Sequence, residues 1–251
     1  MNATVHRFET LPSTNDAARD MAVDGAPEGT VVVAEVQTSG RGRLNRHWQS
    51  PPGNLYCSVV LRPDCEARRC AQLSFAAALA AAEAVAEIIP QSDVRLKWPN
   101  DVLAGGRKIA GLLLEAAPVA AAQIPWVVVG CGLNIGVHPE YRESPATSLA
   151  AEGAEAVAPD DVLAAFLERL DHWTATWRRL GFGPLRQAWL GRAHGMGTRV
   201  LTRVTGGGGP NGLFVDIDEE GGLVLDLGAG KRHTISGGAV YFGNTETHAF
   251  T

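Results

Sequence analysis

The chain has 251 residues, enough for one large domain or for a large and a small one. Its content, 45% hydrophobic and 20% charged, is that of a folded globular protein. A net charge of −5 argues against a basic nucleic-acid-binding face, and the most apolar stretch, Ala71 to Ile89, is interrupted by Gln72, Ser74, Glu83 and Glu87, so no membrane span is expected.

Val5 to Phe8 reads as a short strand. Ser13 is a natural helix N-cap with Asp16 three residues on, and the helix it opens runs to about Met21. The exposed N–H groups and hydroxyls at that helix start could also face a ligand. Thr30 to Val36 is a β-branched run and reads as a buried strand. It leads into the loop Gln37 to Trp48, where Arg41, Arg43, Arg46 and His47 are spaced by Gly40 and Gly42. Glycine permits close backbone approach to a ligand, and guanidinium forks match the oxygens of carboxylates and phosphates. Read alone, such a basic run is as often a solvated turn. Pro51-Pro52-Gly53 ends the loop, and Leu55 to Leu61 is the next strand.

Cys70 to about Ile89 reads as one alanine-rich core helix ended by Pro90. Val94 to Trp98 is a strand broken at Pro99-Asn100-Asp101. Val102-Leu103, a turn at Ala104-Gly105-Gly106, and Lys108 to Ala116 form a hairpin. Ile124 to Cys131 is a further strand, and His138 to Leu149 a loop. Pro159 to Leu180 is a long helix with proline and two aspartates in its first turn, and Pro184 to Leu190 a shorter one. From about Gly195 short strands alternate with glycine-rich turns: Thr198 to Val204, Leu213 to Ile217, Leu223 to Leu227 and His233 to Ser236. Gly206 to Gly209 is a connector, since no Lys or Ser/Thr-led helix follows to make a phosphate loop. The tail therefore reads as a small β-barrel.

The chain has nineteen arginines but only three lysines, and two of these, Lys97 and Lys108, bracket one short stretch. Lys97-Trp98-Pro99-Asn100-Asp101 places a cation, an amide and a carboxylate at a strand end, and the hairpin returns Lys108 beside them. That set could bind a phosphate, a metal ion and an acyl oxygen. The four cysteines form no Cys-x-x-Cys pair and the N-terminus is unlike a secretory signal, so reduced thiols in a cytoplasmic protein are expected.

Taken together, these residues resemble the biotin protein ligase family. Its loop pattern Gly-Arg-Gly-Arg-x-Gly-Arg-x-Trp appears as GRGRLNRHW, with Asn45 in place of the third glycine. Its Lys-Trp-Pro-Asn-Asp block is Lys97 to Asp101, its Lys-x-x-Gly is Lys108 to Gly111, and its Gly-x-Gly-x-Asn is Gly130 to Asn134. The blocks follow the family order from about Thr10 to Leu149. The resemblance implies an α+β fold, a mixed β-sheet flanked by helices of the class II synthetase-like, biotin–lipoate ligase kind. It implies a catalytic domain over 1–192 and an SH3-like β-barrel over 193–251.

It also implies the activity: biotin and ATP give biotinyl-5′-AMP, and biotin passes to a lysine of a biotin carboxyl carrier protein domain, by default that of acetyl-CoA carboxylase. Arg41, Arg43 and Lys108 are then catalytic. Ser13, Thr14, Asn15, Gln37, Gly40, Arg41, Gly42, Arg43, Lys108, Gly111 and Gly130 bind biotin. Arg43, Arg46, Trp48, Lys97, Asn100 and Asn134 bind the nucleotide, with the 138–149 loop over the adenine. Asn100 and Asp101 position Mg²⁺ or its waters. The blocks start near residue ten, which implies a ligase without the repressor's N-terminal helix-turn-helix, as monomer or homodimer. A lipoate ligase, the nearest alternative, is expected to lack the arginine loop and the KWPND block.

Overall fold

The computed structural model describes residues 1–118, 123–140, 145–204 and 207–242. Strands β1 (Thr4–Leu11), β2 (Thr30–Gln37), β3 (Leu55–Leu61), β4 (Val94–Lys97), β5 (Asp101–Ala104), β6 (Arg107–Ala116) and β7 (Val127–Leu133) form one sheet, ordered β1-β2-β3-β7-β6-β5-β4. Only the β1–β2 pair is parallel. The β1–β2 crossover holds helix α1 (Thr14–Val23), which packs on β2, β3 and β7. Four-residue α2 (Ala67–Cys70), α3 (Leu73–Ile88), α4 (Pro159–Leu180) and α5 (Gly183–Gly191) complete the helices. The mixed sheet with flanking helices is the expected α+β architecture.

The core lies between the sheet and the α3–α4–α5 layer. Burial of α3 is nearly complete because alanine lets it approach closely, and Phe75 lies edge-on to Phe182 and Trp189 at 5.0 and 5.4 Å. By length and composition alone, Ala67–Ile88 would suffice to cross a bilayer, contrary to the expectation from sequence. Its burial against sheet and helix accounts for its apolar character. The expected single helix over 70–89 is divided at Ala71-Gln72, where the Gln72, Ser74 and Phe75 N–H groups bond i−3 carbonyls. Gln72 Oε1 accepts from Trp177 Nε1 at 2.8 Å, and its Nε2 donates to Glu219 O at 2.9 Å.

The C-terminal strands are β8 (Arg199–Val204), β9 (Gly207–Gly208), β10 (Gly212–Ile217), β11 (Leu223–Asp226), β12 (Arg232–Ile235) and β13 (Ala239–Phe242). They form an antiparallel sheet ordered β12-β11-β10-β8-β13, with β9 on β8. Among the described residues no ladder joins β12 to β13, so the path is open. Trp98 Nε1 donates to Gly221 O at 3.0 Å, and Arg186 pairs with Asp216 at 2.5 Å. These contacts seat the sheet beside the KWPND turn and α5.

Several boundaries differ from expectation, β1 being twice the expected length at Thr4–Leu11. The strand placed over 124–131 runs from Val127 to Leu133, because Pro125 has no N–H and Ile124 instead bridges Cys65. Part of the 206–209 connector pairs as β9. Strand β13 was hidden behind Ser236-Gly237-Gly238. All four cysteines are buried and free, with Cys65 and Cys70 sulfurs 3.2 Å apart.

Candidate active site

The arginine loop leaves β2 at Gln37 and closes on itself. Trp48 N donates to Gly40 O at 2.9 Å and Gly42 N to Arg46 O at 2.7 Å, while Arg41 and His47 form an isolated bridge. A single 3-10 turn, Arg43–Asn45, makes the tip. Asn45 takes φ 56°, so the left-handed turn survives the loss of the pattern's glycine.

Beneath the loop, the start of α1 and the sheet supply neutral polar groups. Thr14 N donates to Gln37 Oε1 at 2.9 Å, and Gln37 Nε2 to Ser50 Oγ at 2.9 Å. Ser58 Oγ lies 2.8 Å from Thr14 Oγ1 and 2.6 Å from Asn15 Oδ1. Asn15 Nδ2 donates to Glu115 Oε2 at 2.7 Å. Gly130 faces this cluster so closely that a Cβ there would stand 2.1 Å from Asn15 Oδ1.

The other end is cationic. Lys97 and Asp101 face each other across the β4–β5 hairpin, whose Trp98–Pro99 peptide is cis. Lys108 Nζ lies 2.5 Å from Asp101 and 5.2 Å from the Trp48 ring centre, and its backbone pairs with Pro145 and Thr147. Trp48 itself rests against Gly111 and Gly132. Arg43 Nη1 donates to Gly238 O of the C-terminal sheet at 3.1 Å. Burial lowers the pKa of both Arg43 and Lys97, with Asp101 opposing the shift in each.

Both ends open into one cavity of about 750 Å³. Arg43 and Arg46 from the loop and Lys97 and Lys108 from the hairpins all line it. Thr14, Asn15 and Gln37 line the neutral end, and Arg203 and Tyr241 of the C-terminal sheet close the far side.

The Biotin/lipoate A/B protein ligase family model matches residues 7–134, and the Biotin protein ligase C terminal domain model matches 199–243. The chain belongs to the biotin/lipoate protein ligase family. It is 38% identical to the biotin–[acetyl-CoA-carboxylase] ligase of Paracoccus denitrificans over 92% of this chain and 97% of that one. Identity to the bifunctional ligase/repressor of Bacillus subtilis is 35%, over 91% of this chain and 71% of that protein. The biotin protein ligase of Aquifex aeolicus, solved with biotin and ATP, superposes with a TM-score of 0.81 at 26% identity, covering 96% of this chain and 98% of that one.

For a ligase of this family, every site residue expected from sequence lines the cavity except Gly40. Gly40 is the buried base of the loop, where a Cβ would meet Ser50 Oγ and Trp48 O at 2.6 Å, so it shapes the turn rather than touching the cavity. Arg41 lines the cavity, but its guanidinium is not aimed at phosphates. Its Nη1 and Nη2 reach Asp16 at 2.5 and 2.8 Å, and Nη2 reaches Glu115 at 3.1 Å. Asn134 spends its amide on Thr147 O at 2.9 Å, and Ser13 caps α1 at a long 3.5 Å.

The expected metal positions do not fit a resident ion. Asn100 Nδ2 donates to Leu112 O, and Asp101 is already paired with Lys108 in a cation-rich corner. Among the described residues no group of three or more His, Cys, Asp or Glu could hold a metal. Of the 138–149 loop, residues 141–144 lie outside the described residues; Pro139 and Ala146 line the cavity.

Sequence reasoning missed Ser58, Glu115, and the contribution of Arg203 and Tyr241. A serine inside the otherwise apolar strand LYCSVVL, fully buried, was the one available signal.

The lowered Lys97 pKa has a measurable consequence. The free enzyme loses this charge at a pH below the ordinary 10.5 of a lysine, so kcat/KM for ATP should fall on the alkaline side earlier than a solvated lysine would dictate. Lys97→Arg removes a titrating group, and the alkaline limb should move upward. A limb that stays in place would exclude Lys97 from nucleotide binding.

Proposed function

We propose that the neutral end of the cavity holds the biotin rings and that the cationic end holds the triphosphate. The chain activates biotin with ATP, giving biotinyl-5′-AMP and pyrophosphate, and transfers biotin to a carrier-protein lysine. The observation that carries the placement is the single cavity shared by Arg43, Arg46, Lys97 and Lys108.

A ureido ring needs neutral donors and acceptors, which Thr14, Asn15, Gln37 and Ser58 supply in a preformed network. The carboxylate oxygen then attacks the α-phosphorus as pyrophosphate leaves. That approach sets negative groups against one another, and fixed cations lower its barrier. Lys108, on a paired strand, stands between the two ends and bridges acyl and phosphoryl oxygens. Arg43 and Arg46 grip the phosphates from the loop, and Lys97 does so from the sheet. Trp48 Nε1–H, packed against Gly132, is a buried side-chain donor without a partner among the described residues. In the second step the carrier's lysine amine attacks the acyl carbon and AMP leaves, so no covalent enzyme intermediate forms. Residues 1–192 supply the reacting machinery, and Arg203 and Gly238 to Tyr241 of the C-terminal sheet close its far wall. The carrier domain of acetyl-CoA carboxylase is the proposed acceptor, supported by the name of the Paracoccus relative.

Incubation with ATP, magnesium, biotin and that carrier domain, followed by intact mass, should add one biotinyl group to the carrier. Lipoate in place of biotin should add nothing; lipoylation instead would transfer the reading to the other branch of the family.

Loss of the Arg43 tether gives a further expectation. Without its bond to Gly238 and its charge on the phosphate, Arg43→Gly should release free adenylate about tenfold or more faster. Chromatography of the supernatant checks this, and an unchanged release rate would remove Arg43 from adenylate retention.

A further inference from the structure

Arg41 is the best-partnered arginine of the loop. Asp16 comes from the first turn of α1, and Glu115 from β6. Arg41 Nη2 lies 2.8 Å from Asp16 Oδ1 and 3.1 Å from both Glu115 oxygens. Glu115 Oε2 also accepts from Asn15 Nδ2 at 2.7 Å, and Asn15 Oδ1 lies 2.6 Å from Ser58 Oγ. A continuous chain of charge-assisted bonds therefore ties the loop to the neutral polar end. Arg19 also pairs with Asp16 at 2.7 Å, so two guanidinium groups and two carboxylates cancel, and the cluster offers a phosphate no net attraction. Arg43, two residues on, points the other way, to Gly238. Gly42 separates the two directions.

We propose that Asp16, Arg41 and Glu115 form a positioning clamp that fixes the first half of the arginine loop and orients Asn15 for biotin, leaving phosphate contact to Arg43 and Arg46. The proposal rests on the biotin placement given above. Arg41 acts through Asn15 and the loop backbone, and is a positioning residue. Glu115 is its anchor as well as the partner of the Asn15 amide. Charge-assisted hydrogen bonds among part-buried groups are strong enough for this role, and their geometry is bidentate at Asp16.

A clamp and a direct phosphate ligand differ in which substrate suffers and in how substitutions combine. The test measures KM for biotin and for ATP, separately from kcat, in biotin-dependent pyrophosphate exchange. The proteins are the wild type, Arg41→Gln, Asp16→Asn/Glu115→Gln, and the triple variant. Arg41→Gln should raise KM for biotin about tenfold and leave KM for ATP within about twofold. The carboxylate pair should behave alike, and the triple variant should be no worse than either, because one unit has been removed once. Arg41→Lys keeps a charge but not the fork, and should restore part of the biotin affinity. Thermal melts confirm that each variant is folded. An increase in KM for ATP exceeding that for biotin, or losses that multiply in the triple variant, would overturn the clamp. Asn15→Ala tests the biotin placement independently: an unchanged KM for biotin there would sink that placement, whatever the clamp variants do.

Discussion

Lys108→Gln is expected to slow biotinyl-adenylate formation by roughly 10³-fold, the loss seen when one preorganised stabiliser of developing charge is removed. The physical basis is the rigidity of its mount. Its strand is paired on both sides, its backbone bonds both Pro145 and Thr147, and its ammonium is steered by Asp101 and by the face of Trp48. Glutamine keeps a hydrogen-bond donor one bond short of the lysine nitrogen and carries no charge to set against the pentavalent phosphorus. KM values should change little, since the interaction strengthens only as charge develops. Transfer from supplied biotinyl-5′-AMP bypasses the adenylation barrier, so its rate should fall much less. Equal losses in both half-reactions would mean that Lys108 holds the ligand without helping the chemistry.

Gly130→Ala should cut biotin affinity roughly 100-fold. The added methyl would stand 2.1 Å from Asn15 Oδ1, so Asn15 must turn away. It then loses its bond to Ser58, which keeps only Thr14 as a partner, and its charge-assisted bond to Glu115. A lost hydrogen bond to a charged group costs about 1.5–3 kcal/mol, and tenfold in affinity corresponds to about 1.4 kcal/mol. Gly132→Ala, two residues along the same face, meets the Trp48 indole instead, at 2.6 Å. It should weaken ATP binding more than biotin binding. Isothermal titration with each ligand distinguishes the two variants. The same substrate weakened by both would contradict the division of the cavity into two ends.

The sequence made the reacting groups legible because they sit in short contiguous blocks. Lys97 to Asp101 is a tight β4–β5 turn, and Lys108 returns on the next strand, so local hairpin geometry alone brings three charged groups together. The alternating glycines and arginines announced the loop, but not the direction of each side chain. Arg41 and Arg43 diverge because their partners, Asp16 with Glu115 and Gly238, lie 25, 74 and 195 positions away in the chain. No spacing rule encodes such pairings. Asn100 and Asn134 line the cavity as expected, but their amide N–H groups also bond backbone carbonyls of neighbouring segments, which no motif announces. Asparagine at a strand end serves either purpose, and only the packed neighbour decides. The C-terminal wall was obscured because β13 follows two glycines and is only four residues long.

The account stands on the loop and the hairpins acting on one phosphate. A crystal structure with biotinyl-5′-AMP bound tests this most directly. The phosphate should lie within hydrogen-bond distance of both Arg43 and Lys108, with the ureido ring against Thr14, Asn15 and Gln37. A phosphate touching neither cation, or a ureido ring lodged at the Lys97 end, would contradict it.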